Sequence, residues 1–513
     1  MGRSHDKISN TPDPILQTII SLMPLKSAIR TSVLSRRWRS LWEYNLLSAT
    51  TLDFAEDFST NQSPKEFVLC LNRYLLQLQH TKNLEKFSVY FSPFDIFFPD
   101  IQRWISFATS KGVKELNLDL SQGFTDPRDG RFHDERPFFT LSDCLLDCKS
   151  LTHLSLSRCD LCSSRFSFTD WCQLQSLSLK HVSISKDNLE ILLNNCKLLE
   201  SLSLFNTVDG LGFSFILAPE QRLSKLTLVD SWGTFDLEIF APNLQSFHYY
   251  GQYYLGRHTI NVSSLSDAFI CPLWCSQDGD LDYANLIPDL SHVKVLTVNT
   301  VILKDLMLAE EIREQVFPIE FHNLQELQLL VDSMTDKNLD AVYGFFRLCP
   351  CPSIERLFIQ MRGKKEEDPV HANHAIKAMQ TPQDIDFSHL RVIKMTNFKG
   401  WRNEIRLLKF LLEKALCLES LIIVVAPLVE NVMDLVSQNK QLSESRRLAI
   451  LSGQISMLPK ASSQAQIILC DSSQDDKRIQ PVHQGVNHEY NHSEEHFDLI
   501  SSIRSGVDIQ VPI

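Results

Sequence analysis

Cysteine and histidine are the residues in this chain whose spacing invites chemistry. Cys159 and Cys162 stand three apart with Cys172 and Cys196 downstream, and Cys349-Pro350-Cys351 and Cys144/Cys148 form further close sets. A closed zinc site needs four soft ligands in a tetrahedral array, ordinarily supplied as two short-spaced pairs. No second pair follows Cys162, so the spacing predicts thiols seated at turns and no metal. His488, His492 and His496 recur every four residues, which on a helix would place three imidazoles on one face. Their surroundings are polar and lack apolar periodicity, so solvated histidines are expected. His371 and His374 follow the charge run Lys364 to Asp368 and read as part of a solvated insertion. There is no glycine-rich phosphate loop, nucleophile elbow or kinase signature. No catalytic residue and no cofactor is expected.

Composition narrows the setting. Thirteen cysteines, irregularly spaced, with no apolar stretch behind Met1-Gly2-Arg3-Ser4-His5-Asp6, predict free thiols in a reducing nucleus or cytoplasm. The longest apolar run, Leu421 to Val429, is broken by Pro427 and is too short to span a bilayer, so no membrane partner is expected. A net charge of −12 argues against a general nucleic-acid binder. Residues 1–45 run the other way, with seven Lys/Arg against three Asp/Glu; Arg36, Arg37 and Arg39 read as the solvated face of a helix. An apolar content of 43% provides ample core over 513 residues.

One pattern organises most of the chain: apolar, two others, apolar, one other, apolar. It appears at Leu84/Phe87/Val89, Val113/Leu116/Leu118, Leu151/Leu154/Leu156, Leu174/Leu177/Leu179, Leu199/Leu202/Leu204, Leu223/Leu226/Leu228 and Leu244/Phe247/Tyr249. It resumes at Val293/Leu296/Val298, Leu324/Leu327/Leu329, Ile354/Leu357/Ile359, Leu390/Ile393/Met395 and Leu418/Leu421/Ile423. The central spacings are 23, 25, 24 and 21 residues, the outer ones 28–38. This is the leucine-rich-repeat signature: a short strand per turn, stacked in parallel, with stability from neighbours because no repeat hides its own apolar face. The gap after Leu244 holds either a degenerate repeat around Leu265/Ala268/Ile270 or a loop insertion. Helical spacing at Phe67–Leu78, Leu189–Leu193, Leu339–Phe346 and Ile405–Leu412 predicts helices, the last three on the convex side. His153, Ser155, Ser176, Lys180 and Ser203 alternate with buried leucines and are expected on the concave side.

The first forty-odd residues read as three short helices. Asp13-Pro14 marks a start with Asp13 as cap, Pro24 a stop, and Ile15, Leu16, Ile19, Ile20, Leu22 and Met23 form an apolar face too wide for so short a helix to hide. The run Ile8-Ser9 … Pro12-Asp13 … Ile15-Leu16 … Met23-Pro24-Leu25-Lys26-Ser27-Ala28 … Thr31 through Trp42 closely resembles the F-box of plant F-box/leucine-rich-repeat proteins. Phe387 to Val425, and again Leu458 to Ile467, look like the FBD module that ends many of them. Beyond Leu469 the chain turns polar and loses periodicity, and reads as a disordered tail (471–513). The resemblance implies an α/β chain: a three-helix F-box (1–45), an irregular leucine-rich-repeat horseshoe with parallel strands (46–375) and an FBD-like module capping the solenoid (376–470).

It further implies the function of that family. Such a chain recruits an unknown protein substrate to an SCF-type ubiquitin ligase, docking on a Skp-type adaptor and through it on cullin, with the chemistry done by its partners. By resemblance, the adaptor contacts are Pro12, Ile15, Leu16, Ile19, Pro24, Leu25, Leu34, Trp38, Leu41 and Trp42. One departure stands out: where the family carries Leu before Pro-Asp, this chain has Thr11. Thr11 leaves open a second reading, a repeat scaffold or small-ligand receptor whose F-box has lost adaptor affinity.

Overall fold

The computed structural model describes residues 8, 10–23, 25–54, 63–79, 84–91, 95–121, 138–141, 145, 148–162, 168–207, 214–216, 222–229, 236–251, 259–273, 282–312, 318–362, 382–383, 385–427 and 437–484. Three helices open the chain: α1 (Asp13–Ser21), α2 (Leu25–Thr31) and α3 (Arg36–Ser48). Pro12, not Asp13, occupies the N-cap of α1 and makes no side-chain cap bond. The Asp13 carboxylate is instead drawn to the Arg37 guanidinium, 2.6 Å away, tying α1 to α3.

Behind them, among the described residues, runs a main sheet of fifteen parallel strands, in which spatial order follows chain order throughout. The strands are β1 (Thr51–Phe54), β2 (Lys86–Tyr90), β3 (Glu115–Asp119), β4 (His153–Ser157), β5 (Ser176–Lys180), β6 (Ser201–Phe205), β7 (Lys225–Val229) and β8 (Ser246–Gly251). They continue as β9 (Asp267–Pro272), β10 (Val295–Asn299), β11 (Glu326–Val331), β12 (Arg356–Met361), β13 (Val392–Phe398), β14 (Ser420–Val425) and β15 (Gln466–Cys470).

The register explains the spacing of the apolar residues. Leu52 lies beside Phe87, Phe87 beside Leu116, and Leu116 beside Leu154, so the middle apolar residue of each repeat stacks on its neighbour's. Both strand-borne rows are buried. At about 25 cal/mol per Å² of apolar surface, this stack is the main source of stability. The ambiguous stretch after Leu244 is a repeat: β9 pairs with β8 and β10 in unbroken register, and Ala268 and Ile270 are fully buried.

Helices pack along the outer side: α4 (Pro64–Gln77), α5 (Phe98–Ser110), α6 (Lys186–Asn195), α7 (Thr300–Ile312), α8 (Asp336–Leu348) and α9 (Arg402–Lys414). α4, α6, α8 and α9 fall where the periodicity predicts them; α5 and α7 do not announce themselves in it. Ser63 caps α4 reciprocally with Glu66, and Ser185 and Thr335 cap α6 and α8.

The boundary expected at 375/376 is not a structural break, because β12 pairs directly with β13. The strand–helix–strand unit β13–α9–β14 continues the solenoid, and α10 (Ser437–Ser456) lays Leu451 and Ile455 against its end. Ser462 Oγ then donates to the Leu418 carbonyl at 2.7 Å, and the chain enters β15, the final edge strand.

The disorder expected beyond Leu469 does not hold for residues 471–484. Asp471 caps a 3-10 turn over Ser472–Lys477, and the chain then crosses the inner face as far as His483, which is buried. Residues 485–513, including His488, His492 and His496, lie outside the described residues, as do His371 and His374.

Candidate functional site

Two surfaces stand out. The first is the outer flank of the three opening helices. Ile15, Ile19 and Leu22 recur at i, i+4 and i+7 along α1, and all three are exposed, Leu22 by 81%. Val33 (81%) and Leu34 (65%) stand out from the α2–α3 turn. Large aliphatic groups left exposed on one short bundle are groups that a partner would cover.

The opposite flank is already used. Leu16 and Ile20 on α1, Ala28 on α2, and Leu41 and Trp42 on α3 are buried in the same core as the repeats. The Trp42 ring meets Tyr74 of α4 edge-on at 6.5 Å, and Tyr74 in turn packs against Phe54 of β1. The bundle is thus joined to the first repeats by packed aromatic rings rather than hung from a loose linker.

The structure divides the expected adaptor residues between two environments. Pro12, Ile15, Ile19 and Leu34 face outward, whereas Leu16, Leu41 and Trp42 face inward, where they hold the helices to the solenoid. Trp38 is half-buried against that core. Pro24 and the side chain of Leu25 lie outside the described residues. Leu22 and Val33 belong to the outward flank although the family pattern did not single them out. Thr11 contributes its carbonyl, which accepts a bond from Arg37 Nη2.

The second surface is the inner face of the horseshoe. Its central row reads Asn117, Ser155, Ser178, Ser203, Thr227, His248, Phe269, Thr297, Gln328, Phe358, Lys394 and Ile422, adjacent in register from β3 to β14. From Asn117 to His248 these positions are half-buried; from Phe269 to Ile422 they are buried. The change coincides with the strap formed by residues 471–484.

The strap is held by charge. Lys394, fully buried, pairs with Asp475 at 2.6 Å and donates to Gln480 Oε1 at 2.6 Å and to the Ile479 carbonyl at 3.1 Å. Val482 N donates to Glu326 Oε1 at 2.6 Å, while Arg356 approaches the other oxygen of Glu326 at 3.1 Å. His483 Nε2 meets Asp267 Oδ1 at 2.5 Å and its Nδ1 lies 2.7 Å from Thr297 Oγ1. The ring stands edge-on to His248 at 4.9 Å and to Phe269 at 5.5 Å. Burial pushes the Asp267 carboxyl up, but hydrogen bonds from His248 and His483, and the charges of those rings, outweigh it and hold it well below the usual carboxylate range.

His248, Asp267 and His483 place their ligand atoms within 4.8 Å of one another, near enough for a metal ion. The direct contact between Asp267 and His483 is that of an acid–imidazole pair, not of a chelate. The cysteines take another role. Cys159 and Cys196 each point a thiol at a backbone carbonyl, of Ser157 and of Trp171, and burial pushes both thiols up, Cys196 to about 12. Cys349 is likewise pushed up to about 12 by burial. Such thiols are poor nucleophiles and poor metal ligands at neutral pH.

The family model for the leucine-rich-repeat domain of At1g61320/AtMIF1 matches residues 78–454, and the F-box domain matches residues 8–48. F-box/LRR-repeat protein At3g03360 of Arabidopsis thaliana is 27% identical over 391 residues, 73% of this chain and 74% of that protein. F-box/FBD/LRR-repeat protein At1g13570, from the same plant, is 33% identical over 207 residues, 40% of this chain; the match spans less than half of that relative, 45%. The FBD-associated F-box protein At1g61330 is 23% identical over 445 residues, 81% of this chain and 90% of that protein.

Proposed function

Because this chain belongs to the plant F-box/leucine-rich-repeat family, we propose that it is the substrate-recognition subunit of an SCF-type ubiquitin ligase. In this role the outward flank of α1 and the α2–α3 turn docks on a Skp-type adaptor and, through it, on cullin. The horseshoe holds a protein target, and the chemistry is carried by the ligase partners. The protein's own contribution is proximity. A target held on a rigid arm reaches a charged ubiquitin-conjugating enzyme at high effective concentration, without any new reactive group.

The observation that carries this reading is the two-sided use of the opening helices. One side is packed into the repeat core through Leu16, Leu41 and Trp42, and the other shows Ile15, Ile19, Leu22, Val33 and Leu34 to solvent. A helical cap serving only the solenoid would have no need of the second set. The test is co-purification with a purified Skp-type adaptor. The wild-type chain is expected to bind, and an Ile15→Asp/Ile19→Asp/Leu34→Asp form to lose binding while keeping its circular dichroism. Equal binding by both forms, or by neither at micromolar concentration, would contradict the proposal.

A further inference from the structure

The strap and the inner face fit each other as a ligand fits a site. From β9 to β13 the inner face presents fixed charged groups: Asp267 beside His248, Glu326 beside Arg356, and Lys394. Each is answered by the strap, with the His483 imidazole on Asp267, the Val482 N–H on Glu326 and the Asp475 carboxylate on Lys394. Four inter-strand steps of ~4.8 Å make the crossing ~19 Å, and the strap covers it as two turns joined by a short span: Asp475 to Lys477 complete the 3-10 turn, and Gln484 N donates to the Pro481 carbonyl at 3.1 Å. The strap therefore meets the strands through side chains and turns, without adding a strand to the sheet edge.

What holds it is polar. Its large apolar side chains turn away from the face, Ile479 being 44% and Val482 54% exposed. A segment that seals a core does the reverse, since apolar burial is what makes such a seal permanent. Beneath the strap a cleft of about 130 Å³ remains, lined by Gln328, Phe358, Gln360, Thr396 and the strap's own Pro481 and Gln484. The fit over this stretch is incomplete.

We infer that the strap is an intramolecular competitor seated in a peptide-binding groove. The groove takes a peptide that carries a carboxylate side chain followed eight residues later by an imidazole, and target segments of that chemistry enter by displacing residues 471–484. This deepens the proposed function by naming the class of segment recognised. It rests on the horseshoe being the recognition surface, but its test involves no adaptor, so the two can fail separately.

The test uses the full chain. A fluorescein-labelled peptide of residues 471–484 is titrated by anisotropy against the wild type and against Asp475→Ala/His483→Ala, in which the tethered strap has lost two anchors while the groove is intact. The variant is expected to bind the peptide at least tenfold more tightly than the wild type, more weakly as salt rises, and not to bind a peptide that itself carries Ala at the Asp475 and His483 positions. Equal affinity for both proteins, no binding to the variant, or loss of the variant's fold would overturn the inference, the last by making the strap a structural seal. Amide hydrogen exchange on the wild type gives a second reading. Strap amides exchanging much faster than those of β9–β13 support displacement, and strap amides exchanging only with global unfolding overturn it.

Discussion

Neighbouring residues on α1 have opposite duties, and their substitution separates stability from binding. Leu16→Ala removes a buried side chain and is expected to cost about 2–5 kcal/mol, read as a lower urea midpoint. Ile19→Asp, three residues on, is expected to change stability by less than about 0.5 kcal/mol yet abolish adaptor capture. Asp267 makes a prediction about pH. Its carboxyl ionises lower in the folded chain than in the unfolded one, so its contribution is complete above about pH 4 and is lost as pH falls below that. Asp267→Asn should therefore destabilise by about 2 kcal/mol at pH 6, with the difference from wild type shrinking below pH 4; a gap that stays constant to pH 3 would contradict the assignment. The apolar residues of the opening helices were legible in the sequence, but which of them face outward was not. Ile15 and Leu16 are equally apolar, and the tertiary core that takes in Leu16, Leu41 and Trp42 decides which flank the solenoid takes.

Among elements, the strands were the most legible and the strap the least. Each strand carries its own local signal, apolar residues at fixed spacing, and even the weak repeat at Ala268/Ile270 declares itself once neighbours supply register. The strap has no such signal, because its order comes from Lys394, Glu326 and Asp267, which lie 81 to 216 residues away in the chain. The hint lay on the other side of the contact: Lys394 sits in the strand Val392-Ile393-Lys394-Met395, where a charge needs a partner. The start of α9 shows how local chemistry fixes an element. Glu404 is buried and accepts from the backbone N–H groups of Lys399, Gly400 and Trp401 at 2.9, 2.7 and 3.1 Å. Gly400 has φ +79°, and a Cβ there would lie 2.3 Å from Leu451 Cδ2 of α10. Glu404→Ala is expected to cost about 2–4 kcal/mol and Gly400→Ala about 1–3 kcal/mol by thermal unfolding, the second loosening α10 as well.

At the scale of the molecule, one continuous sheet makes a single arm. Its two proposed faces of contact lie at different places: the apolar flank on the opening helices, and the polar inner face some way along the solenoid, with the span from β9 to β13 closed by the strap. A recruiting subunit needs this separation, because docking at one end leaves the other free to hold a target. The central claim is that the outer flank of the opening helices is a docking surface, and adaptor binding measured by calorimetry on matched variants tests it most directly. The account predicts that Ile15→Asp/Ile19→Asp/Leu34→Asp loses the adaptor with its melting temperature unchanged, while the strap variant Asp475→Ala/His483→Ala binds it as the wild type does. Undiminished adaptor affinity in the flank variant would contradict the account.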